Sequence, residues 1–279
     1  MEATTHVRLL LTVHYDGGGF HGWQLQPDRR TVQGVLEEVL SKLGDRPCTV
    51  LGSGRTDTGV HATGQVASVD LPESWTPEKL HRALDALLPD DVWVESVQRA
   101  RADFHPRFDA VARTYVYHIG TSPSAASPFH RRWCWPLREP LDRDLLVRAA
   151  APIPGTHSFE AFAKTGQPER GDECTVSAAA WSEWQLGPRF TITADRFLHH
   201  MVRYLVGTMV DVARGRRPPG DVGALLERGT RLLTSPPAPP EGLFLSHVAY
   251  PEDVLLEAET AGRSSSSHRS PQTRRTATV

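Results

Sequence analysis

The sequence predicts an α+β protein built around a largely antiparallel sheet. Three observations carry this. Strand-like and helix-like segments follow the order strand–helix–strand–strand, with connections of hairpin length. The two halves of the chain resemble each other in that order, though not in their residues, and no short-period repeat is present. The 39% apolar residues, together with 22 glycines, reach the proportion of a packed globular core. A length of 279 residues suits one large domain or two modest ones. The expected division is an N-terminal α+β half over residues 1–100, a C-terminal α+β half over 101–251, and a tail over 252–279.

Val7 to Tyr15 reads as a strand, rich in aliphatic and β-branched residues and ending at the turn Asp16-Gly17-Gly18-Gly19. Thr31 caps a helix reaching Leu43, because Val32, Val35, Leu36, Val39, Leu40 and Leu43 form one apolar stripe at helical spacing. Thr49 to Ser53 and Gly64 to Leu71 read as extended, with a glycine-rich polar loop between them. Thr76-Pro77-Glu78 joins a cap, a first-turn proline and an acid near the positive helix end; Leu80, Ala83, Leu84, Leu87 and Leu88 line the helix that follows. Val92 to Val97 is a strand. In the second half, Ala112 to Ile119 is a strand and Leu141 to Ala150 a short helix. Val176 to Trp184 and Phe190 to Ala194 form a hairpin joined at Gly187-Pro188. Leu198 to Arg214 is the strongest helix, with Leu198, Met201, Val202, Leu205, Val206, Met209, Val212 and Ala213 as its core face. Gly242 to Tyr250 is the last strand. From about Gly262 the serine- and arginine-rich tail cannot build a core and is expected to be disordered.

Composition removes several function classes. No apolar run nears the ~18 residues of a membrane span, and Met1 to His6 lacks the basic and apolar regions of a secretory signal. A soluble, cytoplasmic protein is the expectation. Cys48, Cys134 and Cys174 are few, distant and outside any Cys-x-x-Cys, so they read as core filler. The net charge of −2 gives no global field for a polyanion. Residues 99–132, however, hold six arginines against Asp103 and Asp109, and residues 189–217 hold six against Asp195 and Asp211. Each stretch is locally basic enough to meet nucleic acid.

The densest polar cluster is Gly52-Ser53-Gly54-Arg55-Thr56-Asp57-Thr58-Gly59-Val60-His61-Ala62. It lacks the lysine of a phosphate-binding loop. Two readings stay open. Asp57 bonds its own backbone in a structural turn, or it is a fixed carboxylate, its ionised form favoured by Arg55, for nucleophilic work at a sugar carbon. No metal site is expected: His199 and His200, adjacent on a helix, point apart, and no His-x-x-x-His pair has a carboxylate partner. No Gly-x-Ser-x-Gly elbow supports hydrolysis.

Six ordered motifs resemble one known family. Gly54-Arg55-Thr56-Asp57-Thr58-Gly59-Val60-His61-Ala62 is similar to the signature of the TruA family of tRNA pseudouridine synthases. Tyr15-Asp16-Gly17 with Gly22-Trp23-Gln24, Phe104-His105-Pro106-Arg107-Phe108 with Arg113-Thr114-Tyr115-Val116-Tyr117, Gly155-Thr156-His157-Ser158-Phe159, Phe197-Leu198-His199-His200-Met201-Val202-Arg203 and Pro239-Pro240-Glu241-Gly242-Leu243-Phe244-Leu245 resemble its other blocks. The resemblance implies the pseudouridine synthase fold: a central, mainly antiparallel sheet from two similar α+β halves, helices packed on it, and a basic cleft between. It implies isomerisation of uridine at positions 38–40 of the tRNA anticodon stem-loop, with no cofactor, by a homodimer. Carried over residue by residue, Asp57 is the essential carboxylate and Tyr115 stacks on the flipped uracil. Arg203 pairs with the aspartate. Arg55 fills the space left by the base or holds a phosphate, and Leu243 or Leu245 walls the pocket.

Overall fold

The computed structural model describes residues 5–164 and 171–255, so the tail expected to be disordered lies outside the described residues. Ten strands form one sheet: β1 (His6–Tyr15), β2 (Leu51–Gly52), β3 (His61–Pro72), β4 (Val92–Arg99), β5 (Ala112–Gly120), β6 (Trp135–Pro136), β7 (Gly155–Ser158), β8 (Glu173–Trp184), β9 (Gly187–Ala194) and β10 (Leu243–Ala249). The helices are α1 (Val32–Gly44), α2 (Pro77–Leu87), α3 (Arg143–Ala150), α4 (Met201–Ala213) and the short α5 (Asp221–Leu225). Spatial order along the sheet is β4-β1-β3-β10-β5-β9-β8-β7, with β2 beside β3 and β6 beside β5. All pairings are antiparallel except β3 with β10 and β5 with β6. The α+β class and mainly antiparallel sheet are as expected.

The join between β3 and β10 positions the site. Phe244 pairs with His61 and Leu245 with Ala62. Leu245 also pairs with Tyr115 of β5, which in turn pairs with Ile192 of β9. Tyr115 therefore lies two strands, ~10 Å, from the start of β3, where the polar loop 53–60 ends. One hydrophobic core runs under both sides of this join: Leu36 and Leu40 of α1 share a buried cluster with Leu205 and Met209 of α4.

Local chemistry accounts for most element ends. Thr31 Oγ1 accepts from the Gly34 N–H at 3.2 Å and caps α1, whose Val32, Leu36, Val39 and Leu40 are buried. Thr76 caps α2 in the same way, with Pro77 at its first position. Asp142 Oδ1 accepts from the Leu145 N–H, so α3 begins at Arg143, two residues after the expected start.

Other boundaries differ from expectation. The β8–β9 turn is Gln185-Leu186, because Gly187 already pairs with Trp184 and Pro188 with Glu183. β3 begins at His61, three residues early, drawn in by its pairing with β10. Of Thr49 to Ser53 only Leu51–Gly52 pairs as a strand. The long helix begins at Met201 rather than Leu198, since His200 takes a left-handed backbone (φ 66°, ψ 2°) that a right-handed helix excludes. α4 is buried nearly all round, not along one stripe. The segment 235–238 crosses it at Gly207, where a Cβ would stand 2.1 Å from the Pro236 carbonyl oxygen.

Candidate active site

The loop 53–60 is pinned from several sides. Ser53 Oγ donates to Gln65 Oε1 at 2.7 Å, and Gln65 Nε2 donates to the Gly54 carbonyl at 3.0 Å. The Thr56 hydroxyl lies 2.8 Å from that of Tyr15, and the Trp23 N–H donates to the Thr56 carbonyl at 3.1 Å. Gly22 approaches the same carbonyl at φ 84°; a Cβ there would come within 2.5 Å of it. The loop turns through a main-chain bond, Val60 N–H to the Asp57 carbonyl at 3.1 Å. Among the described residues no backbone N–H bonds the Asp57 carboxylate, so the turn does not consume that side chain.

The carboxylate is partly exposed, at 24%, and three groups of one segment converge on it. His199 Nε2 lies 3.1 Å from Oδ1. On the other oxygen, Oδ2, His200 Nε2 lies at 3.2 Å and Arg203 Nη1 at 3.6 Å. Arg203 is anchored in turn: its Nε donates to the Ala238 carbonyl at 2.7 Å, and the Ala238 N–H donates back to the Arg203 carbonyl at 2.9 Å. Tyr115 is buried against Phe197, edge to face at 4.9 Å. Burial first, and the negative charge of Asp57 second, push its phenol up to about 12, so it is neutral.

Asp57, Tyr115 and Arg203 are thus brought together. Arg55 is not: it is exposed on the loop and makes no ion pair among the described residues. The cation beside Asp57 is Arg203, not Arg55, because the sequence neighbour turns to solvent while the helix residue folds back. Leu243 and Leu245 are both buried in the core cluster.

Three residues escaped sequence reasoning. His199 and His200 do not point apart on a helix. They precede it, and both imidazoles face Asp57, with ring centroids 4.2 Å apart. Ligand-type atoms of Asp57, His199 and His200 lie within 4.8 Å of one another, a cluster hidden from linear spacing. Arg203 already places a cation at Oδ2, and like-charge repulsion opposes a divalent ion there. The third is Arg113. Its Nη2 donates to the carbonyls of Ser53 and Arg107, both at 2.8 Å, and its Nη1 to that of Asp195 at 3.0 Å. Burial pulls its pKa down. It ties β5 and the 104–109 loop to the loop that carries Asp57.

The two basic stretches are less free than their sequence counts suggest. Arg101 pairs with Asp253, Arg132 with Asp16, Arg214 with Glu139, Arg216 with Asp211 and Arg217 with Asp221. On the 104–109 loop, Arg107 lies against the exposed Phe108, its guanidinium 5.8 Å from the ring centroid. Among the described residues no helix is long and apolar enough to cross a membrane.

Residues 11–109 and 149–251 match the family model described as tRNA pseudouridine synthase. The chain is similar to a tRNA pseudouridine synthase A of Methylacidiphilum infernorum, 40% identical over 87% of this chain and 95% of that protein. It is also similar to one of Geobacillus kaustophilus, 40% identical over 91% and 99%. Among solved structures, a similarity to the encapsulated DyP-type peroxidase of Mycobacterium smegmatis has 11% identity, covers 78% of this chain and 87% of that one, and reaches a TM-score of only 0.19, which carries no argument. A family match on both sides of the β3–β10 join, with relatives aligned over nearly their full length, establishes that the chain belongs to the tRNA pseudouridine synthase family.

Proposed function

We propose that this enzyme converts uridine to pseudouridine at positions 38–40 of the tRNA anticodon stem-loop, with Asp57 as its essential carboxylate. The observation that carries this reading is the Asp57 corner. A partly exposed carboxylate on a pinned loop is flanked by Arg203 and lies near a buried tyrosine. The reaction suits these groups. The N1–C1′ bond breaks, the uracil turns, a C5–C1′ bond forms, the C5 proton leaves to solvent and N1 gains one. Atoms and electrons balance without a redox partner, so no cofactor is required. Asp57 either adds to C1′ or takes the C2′ proton, and both roles require a fixed anion.

Arg203 supplies the compensating charge. The neutral ring of Tyr115 offers a face on which the flipped uracil stacks. Arg55, exposed at the rim, fills the vacated stack or holds a phosphate. Extruding the base costs a few kcal/mol, which phosphate contacts offset. A homodimer sharing one tRNA in the cytoplasm completes the reading, and that part rests on the family resemblance alone.

The test uses tRNA tritiated at uridine C5. Wild-type protein releases the label to water. The Asp57→Asn variant releases none, while its tRNA affinity stays within about threefold. Label retained by the wild type, or released by the variant, overturns the reading. Free uracil among the products reassigns the chain to glycosidic hydrolysis.

A further inference from the structure

We infer that His200 is a positioning residue for Asp57, held in a left-handed backbone so that its imidazole lies against the carboxylate. The inference rests on the reading of Asp57 as the essential carboxylate.

The backbone is the first observation. Among the described residues only four non-glycine residues have positive φ: Asp28, Asp45, Arg138 and His200. Asp45 closes the C-terminus of α1, where a left-handed residue is ordinary. His200 stands at the opposite kind of position, immediately before α4, where an extended residue with a short capping side chain is the norm. Its side chain makes no capping bond. Glycine takes this conformation without strain, and histidine does not. The local fold of the helix start therefore gives no reason for an imidazole.

The second observation is where the imidazole lies. Its Nε2 sits in a triangle with Asp57 Oδ2 at 3.2 Å and Arg203 Nη1 at 3.5 Å, closed by the 3.6 Å from Arg203 to Asp57. The ring stands against both anion and cation, at the third corner of the triangle they form. Strained backbone that persists beside a reactive group points to function. Contacts of this kind are commonly loose before substrate binds and tighten in the complex.

The third observation concerns charge. Burial pulls the His200 pKa below the ordinary histidine value, aided by Arg203, His199 and Lys164 and opposed by Asp57. The ring thus acts as a neutral dipole beside the carboxylate and not as a second cation. A neutral side chain of similar reach should replace it, and a bare glycine should not.

Three variants test this on the full-length protein. His200→Gly relieves the backbone and removes the ring. Its single-turnover rate of tritium release should fall about 10- to 100-fold, as expected for a displaced reacting group. Its tRNA affinity should change less than about threefold, and its melting midpoint should stay level or rise by about 1–4 °C. His200→Gln restores a neutral polar side chain of similar reach and should recover at least about a third of the wild-type rate at saturating enzyme. A merely structural histidine would give the opposite pattern, lower melting and no rescue by Gln. The inference is overturned if His200→Gly turns over within about twofold of wild type, or if it loses activity with a lowered melting midpoint that Gln does not repair. Asp57→Asn separates the two failures. Should it remain active, the Asp57 reading falls and takes this one with it. Should it be inactive while His200→Gly keeps its rate, only the role of His200 falls.

Discussion

Two tyrosines on one face of β5 show how much a single hydroxyl decides. Tyr117 is fully buried, and its hydroxyl donates to the Pro239 carbonyl at 2.7 Å, tying β5 to the segment before β10. Two residues away, Tyr115 has no hydrogen-bond partner for its hydroxyl among the described residues, yet its ring is also buried, edge-on to Phe197. One hydroxyl is tied into the fold, and the other lies within the electrostatic reach of Asp57. On the proposed reading, Tyr115→Phe should melt within about 2 °C of wild type while turnover falls about tenfold, the worth of one hydrogen bond from the hydroxyl to substrate beyond the stacking ring. Tyr117→Phe removes the partner of a part-buried carbonyl and should cost about 1–2 kcal/mol in urea unfolding. A Tyr115→Phe variant that unfolds early would show that its hydroxyl is structural. The sequence placed both tyrosines on a strand. It could not tell them apart, because the partner of Tyr117 is 122 residues away.

At the scale of elements, the site depends on a strap across α4. The segment 235–238 crosses the helix at Gly207 and then bonds Arg203 through Ala238. The helix therefore positions its arginine through a loop on its outer side. Gly207→Ala drives a methyl into the Pro236 carbonyl, so the strap must lift. Overpacking of this kind destabilises by about 1–3 kcal/mol, and the tilt of Arg203 should lower turnover beyond what the stability loss explains. Urea midpoints alongside single-turnover rates at low temperature separate the two effects; an unchanged midpoint would show that the strap yields freely. Apolar periodicity found this helix but misjudged its start and its surroundings. A one-sided stripe was expected, whereas chain from both sides covers it. The reason is that periodicity records which residues avoid water, not which part of the chain shields them.

Across the whole molecule, charge is arranged rather than abundant. A chain with net charge −2 binds a polyanion only where cations remain unpaired. Ion pairs consume many of the arginines in the two basic stretches, leaving exposed groups such as Arg55 and Arg107. Affinity for tRNA should fall linearly with salt on logarithmic axes. Arg55→Ala should reduce that slope by about 0.7–0.9, one phosphate contact. A slope unchanged by the substitution would remove Arg55 from the phosphate path and leave it the space-filling role.

Residue patterning alone was enough for the α+β class, most strands, the caps at Thr31 and Thr76, and the loop bearing Asp57. These depend on neighbours within a few positions, where periodicity, capping and turn chemistry act. Packing decided everything that joins distant segments. The parallel pairing of β3 with β10 draws Tyr115 towards the loop. The left-handed turn at His200 swings two imidazoles onto Asp57, and Arg113 links β5 to the carbonyl of Ser53. Such contacts form between groups far apart along the chain, and only the assembly of the sheet, which buries both halves on one core, sets the distances at which they meet.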